Sequence, residues 1–275
     1  MNCQDQIYSE EYCDFIGNRS LIESKYTLDC KQPLGAMFAS LYLKLSNGYE
    51  DGTVYGYYNI PKLFGLQDTG SMESSGILQV RENSDLKLDG SSVLIGFVDT
   101  GIDYAGSIFL KQDGTTRVTA IWDQTIPAGS PIRLPVQPEL SETLENITRT
   151  PEGFLYGSEF THEQLNAAVK MEDAYEGISS RDEIGHGTFL ASIAAGNELP
   201  DGSFTGAAPK ADIAMVKLKP AKNRLRAYYQ IKEDAVAYQE NDIMAGVLYL
   251  VSLAKKRQQP LVICLGLGTN AGSHR

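Results

Sequence analysis

The sequence predicts an α/β fold: a doubly wound parallel sheet with helices on both faces, preceded by a small α+β unit. Two features of the chain lead to this prediction. Beyond about residue 90, continuous apolar runs alternate with segments compatible with helices, which is typical of parallel strands buried on both faces. Before about residue 60, short apolar runs alternate with polar ones. We therefore expect an N-terminal unit over residues 1–70 and a larger domain over residues 71–275.

The N-terminal unit contains one clear strand candidate. Residues 37–45 read MFASLYLKL, and a turn-forming Ser-Asn-Gly follows, as at the end of a strand. Residues 59–76 then pass from an apolar, proline-containing segment into small and polar residues, which is the composition of an exposed connection. This change of composition places the boundary near residue 70.

The larger domain alternates strand and helix signals, except in one part. Residues 105–165 show little periodicity, include several glycines and prolines and contain the only tryptophan, so they predict a loop-rich insertion with short strands. The last helix is the clearest, because Asp242 can accept from a free amide at its N-terminus and basic residues end it. The predicted strands are 93–98, 213–218 and 261–265, and the predicted helices are 186–195 and 242–255.

The composition restricts the partners and the location. The chain carries 35 Asp and Glu against 24 Lys and Arg, a formal net charge of -11. This charge opposes binding to nucleic acid or to an anionic membrane surface, so neither is expected as a partner. No apolar stretch approaches the roughly 20 residues of a membrane span, and residues 1–12 lack the features of a secretory signal. The sequence as written predicts a cytoplasmic protein.

The cysteines predict neither a metal site nor a cross-link. The four residues are Cys3, Cys13, Cys30 and Cys264, and no C-x-x-C spacing occurs. A zinc site is therefore not expected. For a protein in a reducing compartment, we expect all four to be free thiols.

Two residues stand where catalytic groups often lie. Asp99 ends the apolar run VLIGFV, and α/β folds place ligands at the carboxyl ends of buried strands, although a single such carboxylate more often caps a turn. His186 opens an apolar, small-residue segment between two glycines, which suits a general base, although a single such histidine is more often structural. His162 and His274 are expected at the surface.

Together, the D-T-G that begins at Asp99 and the H-G-T that begins at His186 resemble the motifs of the subtilisin-like serine proteases. The similarity extends to Asp103, to the G-A-A-P-K-A that begins at Gly206, and over about residues 76–275. It implies a subtilisin-like form of the predicted α/β fold, incomplete in this chain. The IWDQT that begins at Ile121 resembles the clostridial branch, which includes spore-germination proteases, so an association with spores is also implied.

The resemblance implies a role for each candidate site residue. Asp99 would orient and electrostatically support His186, which would act as general base on a serine later in the chain. The strand that ends in Gly266, Leu267 and Gly268 would line the cleft and pair with an extended protein or peptide substrate, although Gly266 stands where the family usually has serine. No cofactor is required, and no acidic loop is clear enough to nominate for the structural calcium common in the family.

The family's nucleophile and oxyanion motifs do not occur in the sequence. Neither a Gly-Thr-Ser-x-Ala motif nor an oxyanion-type Asn follows His186. Loss of a triad serine lowers turnover by about a million-fold, so this chain alone is expected to be inactive and to be part of a longer protease. The region before residue 76 would be a propeptide that leaves its tail in the cleft and is cut within residues 67–75.

Two other functions are suggested by parts of the sequence. A second D-T-G at Asp68 suggests the two-carboxylate mechanism of aspartic proteases, but Asp68 lies in a polar connection, and Ile102 follows the motif at Asp99 where that class has Thr or Ser. The stronger alternative is a non-catalytic pseudoprotease, or a fragment that binds peptides or a partner protease without cleaving them. A serine motif after residue 275 would distinguish an active protease from this alternative.

Overall fold

The structure is a computed structural model that describes residues 2–25, 30–44, 57–66, 88–134, 147–201 and 204–269. The domain boundary predicted near residue 70 and the predicted cleavage window at 67–75 lie outside the described residues. Asp68 and His274 lie outside them as well.

The N-terminal unit consists of α1 (Cys3–Tyr8), β1 (Tyr12–Asn18), α2 (Arg19–Lys25), β2 (Cys30–Leu34) and β3 (Phe38–Lys44). Its three strands form an antiparallel sheet in the order β1-β3-β2. The strand predicted at 37–45 is β3, and the predicted mixture of helix and strand is confirmed for this part of the chain.

Further strands and helices follow along the chain. The strands are β4 (Leu63–Leu66), β5 (Leu94–Asp99), β6 (Val118–Asp123), β7 (Ser158–Thr161), β8 (Asp212–Lys217), β9 (Tyr238–Gln239), β10 (Leu261–Cys264) and β11 (Leu267–Gly268). The α-helices are α3 (His162–Val169), α4 (Ala174–Gly177), α5 (His186–Ala195), α6 (Asn223–Tyr228) and α7 (Glu240–Arg257).

A five-stranded sheet forms the centre of the larger domain, in the order β10-β5-β8-β6-β7. Neighbouring strands are parallel, except that β7 runs antiparallel to β6. Every residue of β5 and β6 is buried, as expected of strands that are covered on both sides. The doubly wound α/β fold predicted from the sequence is confirmed.

The central sheet separates two cores. Phe97 and Met215 lie in the core shared with α3 and α5. Val98 and Val216 lie in the other core, which α7 and the N-terminal unit cover. Adjacent strand residues thus point to opposite faces, and α5 brings its first turn close to the end of β5.

Residues 105–165, predicted as a loop-rich insertion with short strands, contribute two such strands, β6 and β7, to the central sheet. Strand β6 lies between β7 and β8 in the sheet, and Trp122 within it has no exposed surface. A strand buried on both faces shows no alternation of apolar and polar residues. In β6 the polar Thr119 also interrupts the apolar run, so the sequence does not mark it clearly as a strand. In the structure the Thr119 hydroxyl donates to the Ile213 carbonyl at 2.9 Å, so its polar group is satisfied inside the core.

The role predicted for Asp242 at the N-terminus of the last helix was wrong. Helix α7 begins at Glu240, and its preceding residue, Gln239, makes no side-chain cap. Asp242 is instead wholly buried and pairs with Lys219 at 2.7 Å. The basic last turn is present as predicted. Among the described helices, none combines the length and apolar character needed to cross a membrane.

Two of the four cysteines form a disulfide, which corrects the prediction of free thiols. Cys3 on α1 is bonded to Cys30 on β2, with their Cα atoms 5.3 Å apart. The two residues are 27 positions apart, and only the packing of α1 beside β2 brings them together. Cys13 and Cys264 are free.

A second small sheet connects the N-terminal part of the chain to the larger domain. Strand β4 lies between β11 and β9, antiparallel to each. Leu66 pairs with Leu267 and Gly65 pairs with Gly268. An early segment of the chain therefore lies in extended form along the strand that the sequence predicts to line a cleft.

Candidate active site

Asp99 lies at the carboxyl end of β5, with only 1% of its surface exposed. Its Oδ1 atom accepts a hydrogen bond from the Thr100 amide at 2.7 Å. Burial raises the pKa of the Asp99 carboxyl, while hydrogen bonds from His186 and Thr100 act in the opposite direction. The Oδ2 atom is buried and has no hydrogen-bond donor among the described residues.

His186 begins α5 and lies against Asp99. Its Nδ1 atom is 2.8 Å from Asp99 Oδ1, and 16% of its side chain is exposed. Because an ionised carboxylate can only accept hydrogen bonds, Nδ1 is the protonated ring nitrogen. This tautomer makes Nε2 the nitrogen that can take up a proton. The pair can therefore act as a general base whose ring orientation is held by a buried carboxylate.

Two glycines allow the chain segments of this pair to approach each other. A Cβ atom on Gly187 would lie 2.2 Å from the Gly101 carbonyl oxygen. Gly101 itself has a φ of +126°, which residues with a side chain rarely adopt. The glycines of the two sequence motifs are therefore required by close packing.

Of the three predicted substrate-binding residues, Gly266 lies beside the same pair. A Cβ atom on Gly266 would lie 3.1 Å from both Asp99 Oδ2 and His186 Cε1, and 2.1 Å from Leu190 Cδ1. Leu190 thus fills the space that a serine side chain would need. Leu267 and Gly268 form β11 and pair with β4, so a segment of the same chain lies against two of the three predicted residues.

The residues that connect the segments of Asp99 and His186 were not predicted from the sequence. Asp182 accepts hydrogen bonds from the hydroxyls of Thr100 and Thr188, each at 2.7 Å. Lys217 donates to the carbonyl of Arg181 and to Glu183, each at 2.6 Å. The only local signal for this role was the position of Asp182, four residues before His186. That spacing does not indicate a partner until the fold is known.

His162 was predicted at the surface, but it is half-buried. Its Nδ1 atom lies 3.1 Å from the Val118 carbonyl oxygen and its Nε2 atom lies 2.9 Å from Asn166. These contacts join α3 to β6, and neither of them involves Asp99 or His186.

Neither of the two described serines that follow His186 in the chain is placed as a nucleophile for it. The Ser192 hydroxyl donates to the Thr188 carbonyl within α5, and Ser252 is exposed on α7, on the opposite face of the sheet. Ser203 and Ser273 lie outside the described residues. In the part of the chain that the structure describes, no three His, Cys, Asp or Glu residues come together as metal ligands.

Comparisons with known proteins agree on one family. Residues 90–275 match the model of the subtilase family, Peptidase_S8. Subtilisin-like protease SBT3.5 of Arabidopsis thaliana is 28% identical over 58% of this chain and 19% of its own length. SBT3.8 of the same plant is 31% identical over 46% of this chain and 16% of its own length. The chain thus spans about a fifth of these curated relatives.

The similarity extends to a solved structure. The CspB protease of Clostridium perfringens has 29% sequence identity and a TM-score of 0.52, over 74% of this chain and 35% of that one.

Proposed function

Because the chain belongs to the subtilase family, we propose that it is part of a serine endopeptidase in which Asp99 orients His186 as general base. The observation that carries the proposal is the 2.8 Å contact between His186 Nδ1 and Asp99 Oδ1. A histidine held in this way takes the proton of a serine hydroxyl as the serine attacks the peptide carbonyl. The buried carboxylate then stabilises the imidazolium that forms.

The serine would come from the part of the protease that this chain does not include. Without it, turnover falls by about a million-fold, so these residues alone should not hydrolyse peptides measurably. The curated relatives are much longer than the segment matched here, which leaves room for a nucleophile and an oxyanion-binding group.

The substrate would be a protein or peptide bound as an extended strand. The position of β4, between β11 and β9, supports this binding mode, because it is backbone pairing that holds a peptide strand along a sheet edge. We also propose that β4 belongs to a propeptide, cut within residues 67–75 shortly after β4 ends.

A second candidate is a pseudoprotease that binds peptides without cutting them. The extended segment β4 against β11 favours it, because peptide binding at this place needs no nucleophile. The two candidates differ in one property: only a protease reacts covalently with a fluorophosphonate probe, which requires an activated serine.

The deciding experiment is to read the source DNA in frame past codon 275 and to express the complete product. We expect a Gly-Thr-Ser-x-Ala motif and fluorophosphonate labelling that His186→Ala abolishes. The matched control is His162→Gln, which should retain labelling because His162 lies outside the dyad. A stop codon at position 276, or labelling that His186→Ala leaves unchanged, would overturn the proposed roles.

A further inference from the structure

The segment before His186 is organised around one carboxylate. Asp182 accepts hydrogen bonds on Oδ1 from the Thr100 hydroxyl at 2.7 Å and the Gly185 amide at 2.8 Å. On Oδ2 it accepts from the Thr188 amide at 2.8 Å and the Thr188 hydroxyl at 2.7 Å. Burial raises the pKa of Asp182, but these hydrogen bonds outweigh it and hold the pKa below its ordinary value. The group is therefore an acceptor on both oxygens at neutral pH.

Each threonine hydroxyl that donates to Asp182 also accepts a hydrogen bond from a backbone amide of the opposite segment. The Gly187 amide donates to the Thr100 hydroxyl at 2.8 Å. The Asp103 amide donates to the Thr188 hydroxyl at 3.0 Å. Because an ionised carboxylate only accepts, both hydroxyls must point their protons at Asp182 and offer lone pairs to these amides. Two bridges thus join the end of β5 to the first turn of α5, and both end on Asp182.

These bridges surround the pair of groups that the proposed mechanism uses. Thr100 follows Asp99, and Gly187 follows His186. Lys217, 7% exposed, donates to the Arg181 carbonyl at 2.6 Å and pairs with Glu183, so the residues on both sides of Asp182 are tied to the end of β8. The segment that carries Asp182 is therefore attached to the central sheet through Lys217.

We infer that Asp182 is a positioning residue that sets the distance and tautomer of the His186–Asp99 pair through Thr100 and Thr188. The inference deepens the proposed function and adds a residue that touches neither the substrate nor the reacting atoms. An Asn at this position offers one acceptor oxygen and one donor group, so whichever way it turns, one of the two bridges is lost. A misplacement of about 1 Å can lower a rate by about a hundred-fold.

The test uses the chain labelled with ¹⁵N-histidine, which contains three histidines. The ring-nitrogen shifts of His186, assigned with His162→Gln and His274→Gln, report whether Nδ1 carries the proton. We expect the Nδ1–H form in the unsubstituted chain and a mixture of tautomers in Asp182→Asn. Thr188→Val, which removes the hydroxyl, should behave like Asp182→Asn, and Thr188→Ser, which keeps it, should behave like the unsubstituted chain.

The matched control is Asp113→Asn. Asp113 accepts from the amide and hydroxyl of Thr115 at 2.9 and 2.6 Å, so it makes the same kind of turn, but at an exposed site without His186. It should leave the His186 shifts unchanged. His186 shifts in folded Asp182→Asn that equal those of the unsubstituted chain would overturn the inference, and so would the absence of an Nδ1–H preference in the unsubstituted chain.

If Asp182→Asn does not fold, the Thr188→Val and Thr188→Ser pair decides. Because the shifts are read without catalysis, they also separate this inference from the proposed function. If the complete product is not labelled by the fluorophosphonate probe but Asp182→Asn still changes the His186 tautomer, only the proposed function is refuted. In a labelled complete product, Asp182→Asn should lower the labelling rate about ten-fold to a hundred-fold.

Discussion

Two regions of the molecule bury carboxylates and neutralise them differently. At the interface of the N-terminal unit, Asp14 pairs with Lys222 and Asp242 pairs with Lys219, and none of the four side chains is more than 5% exposed. At the candidate active site, Asp99 instead meets an imidazole and a backbone amide. The interface thus matches permanent charges, whereas the site uses groups that are neutral or can change charge.

The difference follows from what each region must do. Removal of one partner from a buried ion pair strongly destabilises the folded state. Such pairs therefore favour the one docked arrangement in which every charge has its partner. A lysine beside Asp99 would hold its charge permanently and leave no base at neutral pH. A histidine can gain and lose a proton in that range. Five measurements test this comparison.

The largest effect is expected at the interface. Lys222→Met leaves Asp14 buried without its cation, and it should lower the free energy of unfolding in urea by about 3–5 kcal/mol. The double variant Asp14→Asn with Lys222→Met should recover part of the loss, because a neutral amide needs no cation and its oxygen can still accept from Gln239. A loss within experimental error for Lys222→Met would show that the interface does not depend on matched charges.

The disulfide should contribute the next largest effect at the interface. It holds α1, whose Tyr8 hydroxyl donates to the Gln124 carbonyl at 2.7 Å, against β2. Cys3→Ser with Cys30→Ser should lower the free energy of unfolding by about 3 kcal/mol, because the unfolded chain loses a closed loop. A reductant should lower the stability of the unsubstituted chain equally and leave the double variant unchanged. Sensitivity of the double variant to the reductant would contradict this assignment.

At the candidate active site, a substitution of Gly266 should change the free energy of unfolding by a smaller amount. Gly266→Ser forces Leu190 to move, and overpacking of this kind lowers the free energy of unfolding by about 1–3 kcal/mol. Leu190→Val removes the atom that a new Cβ would meet, so Gly266→Ser should be better tolerated in that background. Additive effects of the two substitutions in a double-mutant cycle would argue against the contact.

The two carboxylates of the site should shift stability with pH in opposite directions. Burial raises the folded-state pKa of Asp99, so its stabilising contribution is present below the ordinary pKa of about 4 and is lost as pH rises through the folded value. Asp99→Asn should therefore gain stability, relative to the unsubstituted chain, between about pH 4 and neutral pH.

Asp182 has the lowered pKa, so its contribution is present above about pH 4 and is lost as pH falls through the folded value. Asp182→Asn should be less stable at neutral pH, with a deficit that closes in acid. Urea unfolding over about pH 3–7 measures both trends. Deficits of the same sign for the two variants would remove this distinction.

The smallest effect is expected on the surface. Lys256 and Glu152 lie 2.6 Å apart, but 60% and 82% of their side chains are exposed. Because water screens such pairs, Lys256→Met should leave the free energy of unfolding unchanged within error. It is the matched control for Lys222→Met, and a loss comparable to that variant would mean that burial does not explain the difference.

Features that depend on neighbouring residues could be predicted from the amino-acid sequence. The run VLIGFV predicts a buried strand, and H-G-T followed by small residues predicts a helix start, so Asp99 and His186 could be named from the ends of their elements. The resemblance to subtilisin-like proteases is confirmed by the family match and by the similarity to a clostridial protease. These signals are local, because the periodicity of apolar residues is set over a few positions.

The contacts between polar groups became evident from the folded chain alone. Thr100 and Asp182 are 82 positions apart, and Asp14 and Lys222 are 208 positions apart. No local pattern encodes such contacts, since the same acid can cap a helix, as expected for Asp242, or neutralise a buried lysine, as it does. The partner depends on which segments the folded chain brings into contact, and burial then sets the energetic consequence of each pairing.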